Sequence, residues 1–249
     1  MSWLRRLAIT GALAQTTAAM IGFVPDALAA DMPQNFPPPP IKRPALIAPN
    51  GGWYVRGDVG YYWGQTGGAQ SEPGYANPTD NSLGNGFTGG VGAGYKSQWL
   101  RTDVTLDYTA PMKYQGTVAT ANDTTAKVTA VTALFNGYLD LGTWYRATPY
   151  IGAGAGVSQL YTSDYTSTAS PPFTGGLSNT QWKFAWAGMA GVAYAVGPNL
   201  LVDVGYRYLN FGDVTTQSDA FGAMTLKNLA AHEARVGFRW NFDDLPLVR

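Results

Sequence analysis

The sequence predicts an all-β chain, an eight-stranded antiparallel up-and-down transmembrane β-barrel with short periplasmic turns and long extracellular loops. Three observations predict it. Eight segments alternate apolar and polar residues with the period of a strand, and their connections alternate long and short. The two faces of each segment are also unlike: one is oily with aromatic ends, the other rich in glycine and in balanced opposite charges.

Composition sets the bounds. Charged residues make up 13% of the 249, against about 25% in an ordinary soluble protein. The 16 basic and 16 acidic side chains cancel, which leaves no electrostatic footprint for nucleic acid and removes it from the expected partners. With no cysteine in the chain, disulfides, thiolate metal sites and cysteine nucleophiles are excluded.

The first element is an export signal. Arg5 and Arg6 precede an apolar run from Leu7, and Ala27-Leu28-Ala29 has the small-residue pattern of a cleavage site. A signal peptide over residues 1–29 is predicted, with Ala30 as the alternative last residue. An uncleaved membrane helix fits less well, because Gln15, Thr16 and Thr17 interrupt the run and Pro25 ends it. Residues 30–50 form a proline-rich periplasmic segment with seven of the 16 prolines, four of them consecutive at Pro37 to Pro40. Such a stretch favours an extended polyproline II tether. It serves either as a passive spacer or as a docking segment for peptidoglycan or another periplasmic partner.

The barrel is predicted over residues 51–242, with strands at 52–63, 87–96, 100–108, 127–141, 149–159, 182–196, 200–209 and 233–242. Most approach the roughly nine to eleven residues that a tilted strand needs to cross a bilayer. The connections 64–86, 109–126, 160–181 and 210–232 are long, whereas 97–99, 142–148 and 197–199 are short. Every long loop therefore falls at one end of an up-and-down meander, as in outer-membrane barrels, and both barrel termini lie at the periplasmic end.

The orientation of the faces follows from GWYVRGDVGYYW at 52–63. Trp53, Val55, Val59, Tyr61 and Trp63 share one face, Arg56 and Asp58 the other. In a soluble sandwich or lipocalin-like barrel the oily face would be the core. Here three features place it in lipid. Taken strand by strand, the polar face holds Arg56, Lys96, Arg101, Lys183, Arg207, Arg235 and Arg239 against Asp58, Asp103, Asp107, Asp140, Asp203 and Glu233, a set that can pair inside a narrow lumen. Arg56 with Asp58, Arg101 with Asp103 and Arg207 with Asp203 are the expected pairs. Second, Trp53, Trp63, Tyr206, Tyr208, Trp240 and Phe242 sit near strand ends and form two aromatic girdles. From Trp53 to Trp63 the rise is about 25 Å, the height of the apolar band in such barrels. Third, the face between the girdles is small and aliphatic, with Val55, Val59, Val91, Val104, Leu106, Ile151, Val204 and Val236 among its residues. Lys127 points outward and must sit at the outer rim, where a lysine can snorkel. A charge placed at Val59 is expected to harm assembly more than loss of the charge at Asp58.

Lipid supplies no hydrogen bonds to backbone, so the sheet must close. Eight strands leave a lumen that side chains fill, and Gly60, Gly90, Gly92, Gly94, Gly152, Gly154 and Gly156 make room beside the large interior groups.

The stretches WYVRGDVGYYW, VGAGYKSQWLRTDVTLDY, GYLDLGTWYRATPYIGAGAGV, AVGPNLLVDVGYRYL and ARVGFRWNF together resemble the small outer-membrane β-barrel proteins of alphaproteobacteria, within the OmpA-like and OmpX-like barrel superfamily. The resemblance covers about residues 52–242. It implies a porin-family surface protein of the Gram-negative cell outer membrane, in contact with outer-membrane lipid and lipopolysaccharide, inserted by the barrel-assembly machinery, with a part in envelope integrity. It also implies an assembly signal in the aromatics of the last strand, here Phe238, Trp240 and Phe242. Two departures stand out: the chain continues past Phe242 as a short periplasmic tail, residues 243–249, and those seven residues are not expected to form the peptidoglycan-binding domain of full-length OmpA-type proteins.

Two motifs need weighing. Gly84-Asn85-Gly86-Phe87-Thr88-Gly89 matches a dinucleotide fingerprint, but it leads into a strand rather than from a strand into a helix. His232 is the one histidine. Some barrels of the resembled superfamily modify lipid A, and a hydrolase would need a hydroxyl nucleophile beside its base. The adjacent Glu233 faces the opposite way and the same-face neighbour is Ala234, so a headgroup-level rim histidine is the better reading. No catalytic residue, cofactor or metal ligand set is expected. The expected function is structural and interfacial, with loop-mediated surface contacts; a narrow porin-like channel is the alternative, and a lipid A-modifying enzyme the second.

Overall fold

The computed structural model describes residues 51–71, 77–118, 122–167, 173–174, 179–215 and 224–242. The predicted signal peptide, proline-rich segment and tail lie outside these residues. Among the described residues there are eleven strands. Eight are the staves of the wall: β1 (Gly51–Gln65), β4 (Asn85–Ser97), β5 (Leu100–Val118), β6 (Asn122–Asp140), β7 (Ala147–Ser167), β9 (Asn179–Ala195), β10 (Leu200–Thr215) and β11 (Met224–Asn241). Three short ones, β2 (Ala69–Ser71), β3 (Thr79–Leu83) and β8 (Phe173–Thr174), belong to the outer connections.

Each stave pairs antiparallel with the next in the order β1-β4-β5-β6-β7-β9-β10-β11, and β11 returns to β1 through a register that runs from Tyr54 opposite Asn241 to Gln65 opposite Ala230. That last ladder closes the barrel and leaves no edge for lipid to meet. Orientation is decided by the first stave, where Val59 is 68% exposed and Asp58 is 8% exposed. The oily face is outside.

Several staves run further than their periodicity in sequence suggested. β5 and β6 stay paired to Val118 opposite Asn122, across most of what reads as the loop 109–126. The reason is a β-bulge between Thr109 and Met112, both fully buried and facing inward with two residues between them. Pro111 cannot donate to the ladder and is accommodated at that irregularity. Past the bulge the alternation changes phase, so a reader counting by twos loses the strand. The same happens on β10, where Gly212 at φ 75° lies between register shifts. Above the ends of β1 and β4, β2 pairs with β11 and β3 with β5, so parts of the first outer loop extend the wall.

These extensions invert the dressing of the sheet. In the staves near the middle, oily residues point out and charges point in. In the outer extensions Met112, Tyr114, Val128, Leu160, Phe211, Leu226 and Leu229 point in and are fully buried, together with Tyr62 and Leu209. Lys113, Gln115 and Lys127 point out there. The outer part of the barrel is thus built like a soluble β-protein, with an apolar core and a polar surface, and it continues directly from a part built for lipid.

Candidate functional site

The lumen is the chemically distinctive part of the molecule, and it has two tiers. Toward the periplasmic end the staves project charges. Arg56 Nη2 donates to Asp58 at 2.9 Å and its Nη1 reaches Asp103 at 3.3 Å. Arg235 pairs with Asp58, with Asp107 at 2.6 Å and with Glu233 at 2.9 Å. Arg207 bridges Asp107 at 2.9 Å and Glu233 at 2.7 Å. The result is a continuous chain from Asp103 to Glu233. Below it, Asp140 accepts from Lys96 at 2.7 Å and from Arg101 at 2.9 Å, and Arg239 lies 3.3 Å from Asp203. Neutral groups complete the acceptors: Asn136 Nδ2 donates to Asp103 at 2.8 Å and Tyr54 Oη at 3.0 Å. Rings complete the donors. The Arg101 guanidinium lies 4.7 Å from the centre of Tyr138 and 4.6 Å from that of Tyr150.

Of the three pairs expected from sequence, the structure forms Arg56 with Asp58 and replaces the other two. Arg101 turns to Asp140 and leaves Asp103 to Arg56; Arg207 turns to Asp107 and Glu233 and leaves Asp203 to Arg239. The cause is geometric. Side chains two apart on a stave project side by side about 7 Å apart, and four apart about 13 Å. In so narrow a lumen, a long guanidinium side chain reaches carboxylates on neighbouring and facing staves as well as one two residues along its own, as Arg56 does at Asp58 and Arg235 at Glu233. Lys183 also departs from expectation: it shares the inward face of β9 but is half-buried, opposite Ser158, and makes no ion pair among the described residues. Asp58 itself serves both Arg56 and Arg235.

Glycine sets how closely these large groups pack. At Gly94 an added Cβ would sit 2.8 Å from the Tyr54 ring, and at Gly152 one would sit 2.4 Å from that of Tyr138. Between Arg56, Asp107, Tyr138, Tyr150, Asp203 and Arg207 a cavity of about 30 Å³ remains, room for about two water molecules. Arg207 Nη2, beside it, has no hydrogen-bond partner among the described residues. Above the ions the second tier is apolar, with Tyr62, Met112, Leu160, Leu209 and Phe211 packed against one another. Sequence reasoning missed this tier. Its signal was the inward apolar set Val128, Ala130 and Leu134 on the predicted strand 127–141, together with Met112 and Tyr114 in the region taken as loop.

The outward face carries aromatic rings toward both ends. Trp53, Trp240 and Phe242 stand exposed at the periplasmic end, where Trp53 meets Tyr95 edge-on at 5.4 Å. Phe238 is exposed on the same face of β11. At the outer end Trp63 and Tyr206 are exposed and Tyr208 is half-buried, with Phe87, Tyr108, Tyr161 and Trp182 as members the sequence reading left out. His232 lies among them. Its Nδ1 shares a hydrogen bond with Tyr206 Oη, its Nε2 lies 2.6 Å from Gln65 Oε1, and its ring meets Tyr208 at 5.1 Å. Tyr206 and Gln65 occupy both ring nitrogens of the imidazole.

The comparisons with known proteins address the wall as a whole. The outer membrane protein beta-barrel domain family model matches residues 44–242. An uncharacterized protein of Brucella abortus is 36% identical, with 80% of each chain covered. The outer membrane protein PagN of Salmonella typhimurium is 33% identical over 95 residues, 38% of this chain and 40% of PagN. The crystal structure of OprG from Pseudomonas aeruginosa has the same fold, with a TM-score of 0.52 over 79% of this chain and 99% of that one at 14% identity. The match that begins at residue 44 ends at Phe242, the residue whose N–H bonds back to Trp53 where the barrel closes. This chain belongs to the outer membrane protein beta-barrel domain family and is a β-barrel surface protein of the outer membrane.

Proposed function

We propose that this protein is a sealed structural barrel that strengthens the envelope and presents its outer loops for surface contacts, rather than a conduit or an enzyme. The observation that carries the reading is the filled lumen: an ion-paired tier beneath an apolar tier, with a cavity of about 30 Å³ between the large side chains. A hydrated ion following this axis would have to displace Arg207, Arg235 and Glu233 and then cross an apolar core, where an unpaired charge is costly. The non-enzymatic reading is supported at His232, whose partners are a phenol and an amide rather than a serine or threonine hydroxyl.

Export fits the signal pattern of residues 1–29, and the outward rings of Phe238, Trp240 and Phe242 on the last stave fit a mark read by the barrel-assembly machinery. The proline-rich residues 30–50 precede the periplasmic end of β1, the right place for a tether or a peptidoglycan contact. The test is conductance in planar lipid bilayers. No stable single-channel steps are expected from the folded chain; reproducible steps would favour the porin reading and overturn this one.

A further inference from the structure

We propose that the outer wall across β5, β6 and β7 binds a phosphorylated glycolipid of the outer leaflet, with Lys113 and Lys127 holding its phosphate. This rests on the assignment to the outer membrane. Lys113 and Lys127 are direct register partners on β5 and β6, and both face outward. Like charges placed directly opposite each other destabilise a sheet, so the pair has a cost that an anion would remove. One carboxylate is in reach: Asp164, held at φ 52° on β7, lies 2.7 Å from Lys127 Nζ. Among the described residues Lys113 has no carboxylate partner, and the three groups together keep a net positive charge. The other rim lysine with an ion pair differs. Lys227 is matched one to one by Asp213 at 3.0 Å, and Asp213 also accepts the Asn228 N–H, which together hold its carboxyl below the usual carboxylate range.

Depth and surroundings point to the same ligand. Lys127 lies two residues beyond Thr129, the partner of the girdle residue Tyr161. At about 3.3 Å per residue and a tilt near 40°, that is about 5 Å above the ring, the level of lipid headgroups. Beneath the lysines the wall is apolar, with Leu106 and Phe135 exposed to acyl chains. Above them the wall is polar: Gln115 is exposed, and the Thr125 and Thr166 hydroxyls meet at 2.6 Å. Apolar wall, cationic pair and hydroxyl belt follow one another in the order of acyl chain, phosphate and sugar.

The test uses the full chain folded in detergent, its folded state checked by heat-modifiable migration, and native mass spectrometry with diphosphoryl lipid A, dephosphorylated lipid A and inorganic phosphate as probes. Diphosphoryl lipid A is expected to bind roughly tenfold more tightly than the dephosphorylated form, in line with two lysines at an anionic headgroup. The double variant Lys113→Gln with Lys127→Gln should lose that preference, while Lys227→Gln should keep it. A folded double variant that retains the preference would overturn the site. So would inorganic phosphate that binds the wild type with the same lysine dependence while lipid A binds no better, since the site would then take a free anion. A wild-type chain that shows no heat-modifiable migration would instead count against the barrel reading itself.

Discussion

Replacing Glu233 with leucine is expected to destabilise the folded barrel by about 3–5 kcal/mol, the cost of removing one partner from a buried ion pair. Glu233 is fully buried and accepts from Arg207 Nε at 2.7 Å and from Arg235 Nη1 at 2.9 Å. Without it, Asp107 and Asp58 are left to balance Arg207 and Arg235, with Asp58 already shared with Arg56, and the tier acquires an uncompensated positive charge. Urea unfolding in lipid vesicles measures the loss. Adding Arg207→Leu to Glu233→Leu restores neutrality, so the double variant should fall short of the sum of the singles by a coupling energy of about 0.5–3 kcal/mol. Strict additivity would mean that the network does not act as a unit.

Val59→Arg comes next in size. Val59 is 68% exposed on the outward face, four residues from Trp63 and six from Trp53, and so lies near the middle of the apolar band. A cation at that depth should destabilise the barrel by about 2–4 kcal/mol, whereas at Val55, two residues from the Trp53 ring, the cost should fall toward about 0–1 kcal/mol. The same vesicle unfolding experiment reads both. Equal effects at the two positions would mean that this face does not meet a depth-graded hydrocarbon layer.

What the sequence made legible follows from which constraints are local. Alternation along 52–63 and the short turns at 97–99 and 197–199 depend only on neighbours in the chain, so the staves and the orientation of Val59 and Asp58 could be read directly. Beyond Arg56 with Asp58, ion partners could not be read, because they depend on reach across the lumen: Arg207 and Asp107 are a hundred residues apart in sequence yet 2.9 Å apart in space. The outer extensions were hidden for another reason. A bulge at Pro111 and register shifts about Gly212 change the phase of the alternation, and beyond the girdle the apolar residues belong inside rather than outside. A rule that puts oily residues outward fails where lipid ends, and that failure marks the membrane surface.

The central claim is this inversion, and β5 carries both halves of it. The chain has no cysteine, so a nitroxide can be attached at single introduced cysteines and its accessibility measured by electron paramagnetic resonance in lipid bilayers. Labels at Val104 and Leu106, both exposed on the outward face, are expected to collide with dissolved oxygen and to be shielded from a water-soluble nickel complex. Labels at Lys113 and Gln115, past the bulge on that same outward face, should show the reverse. Nickel-accessible labels at Val104 and Leu106, or lipid-shielded ones at Lys113 and Gln115, would contradict the account.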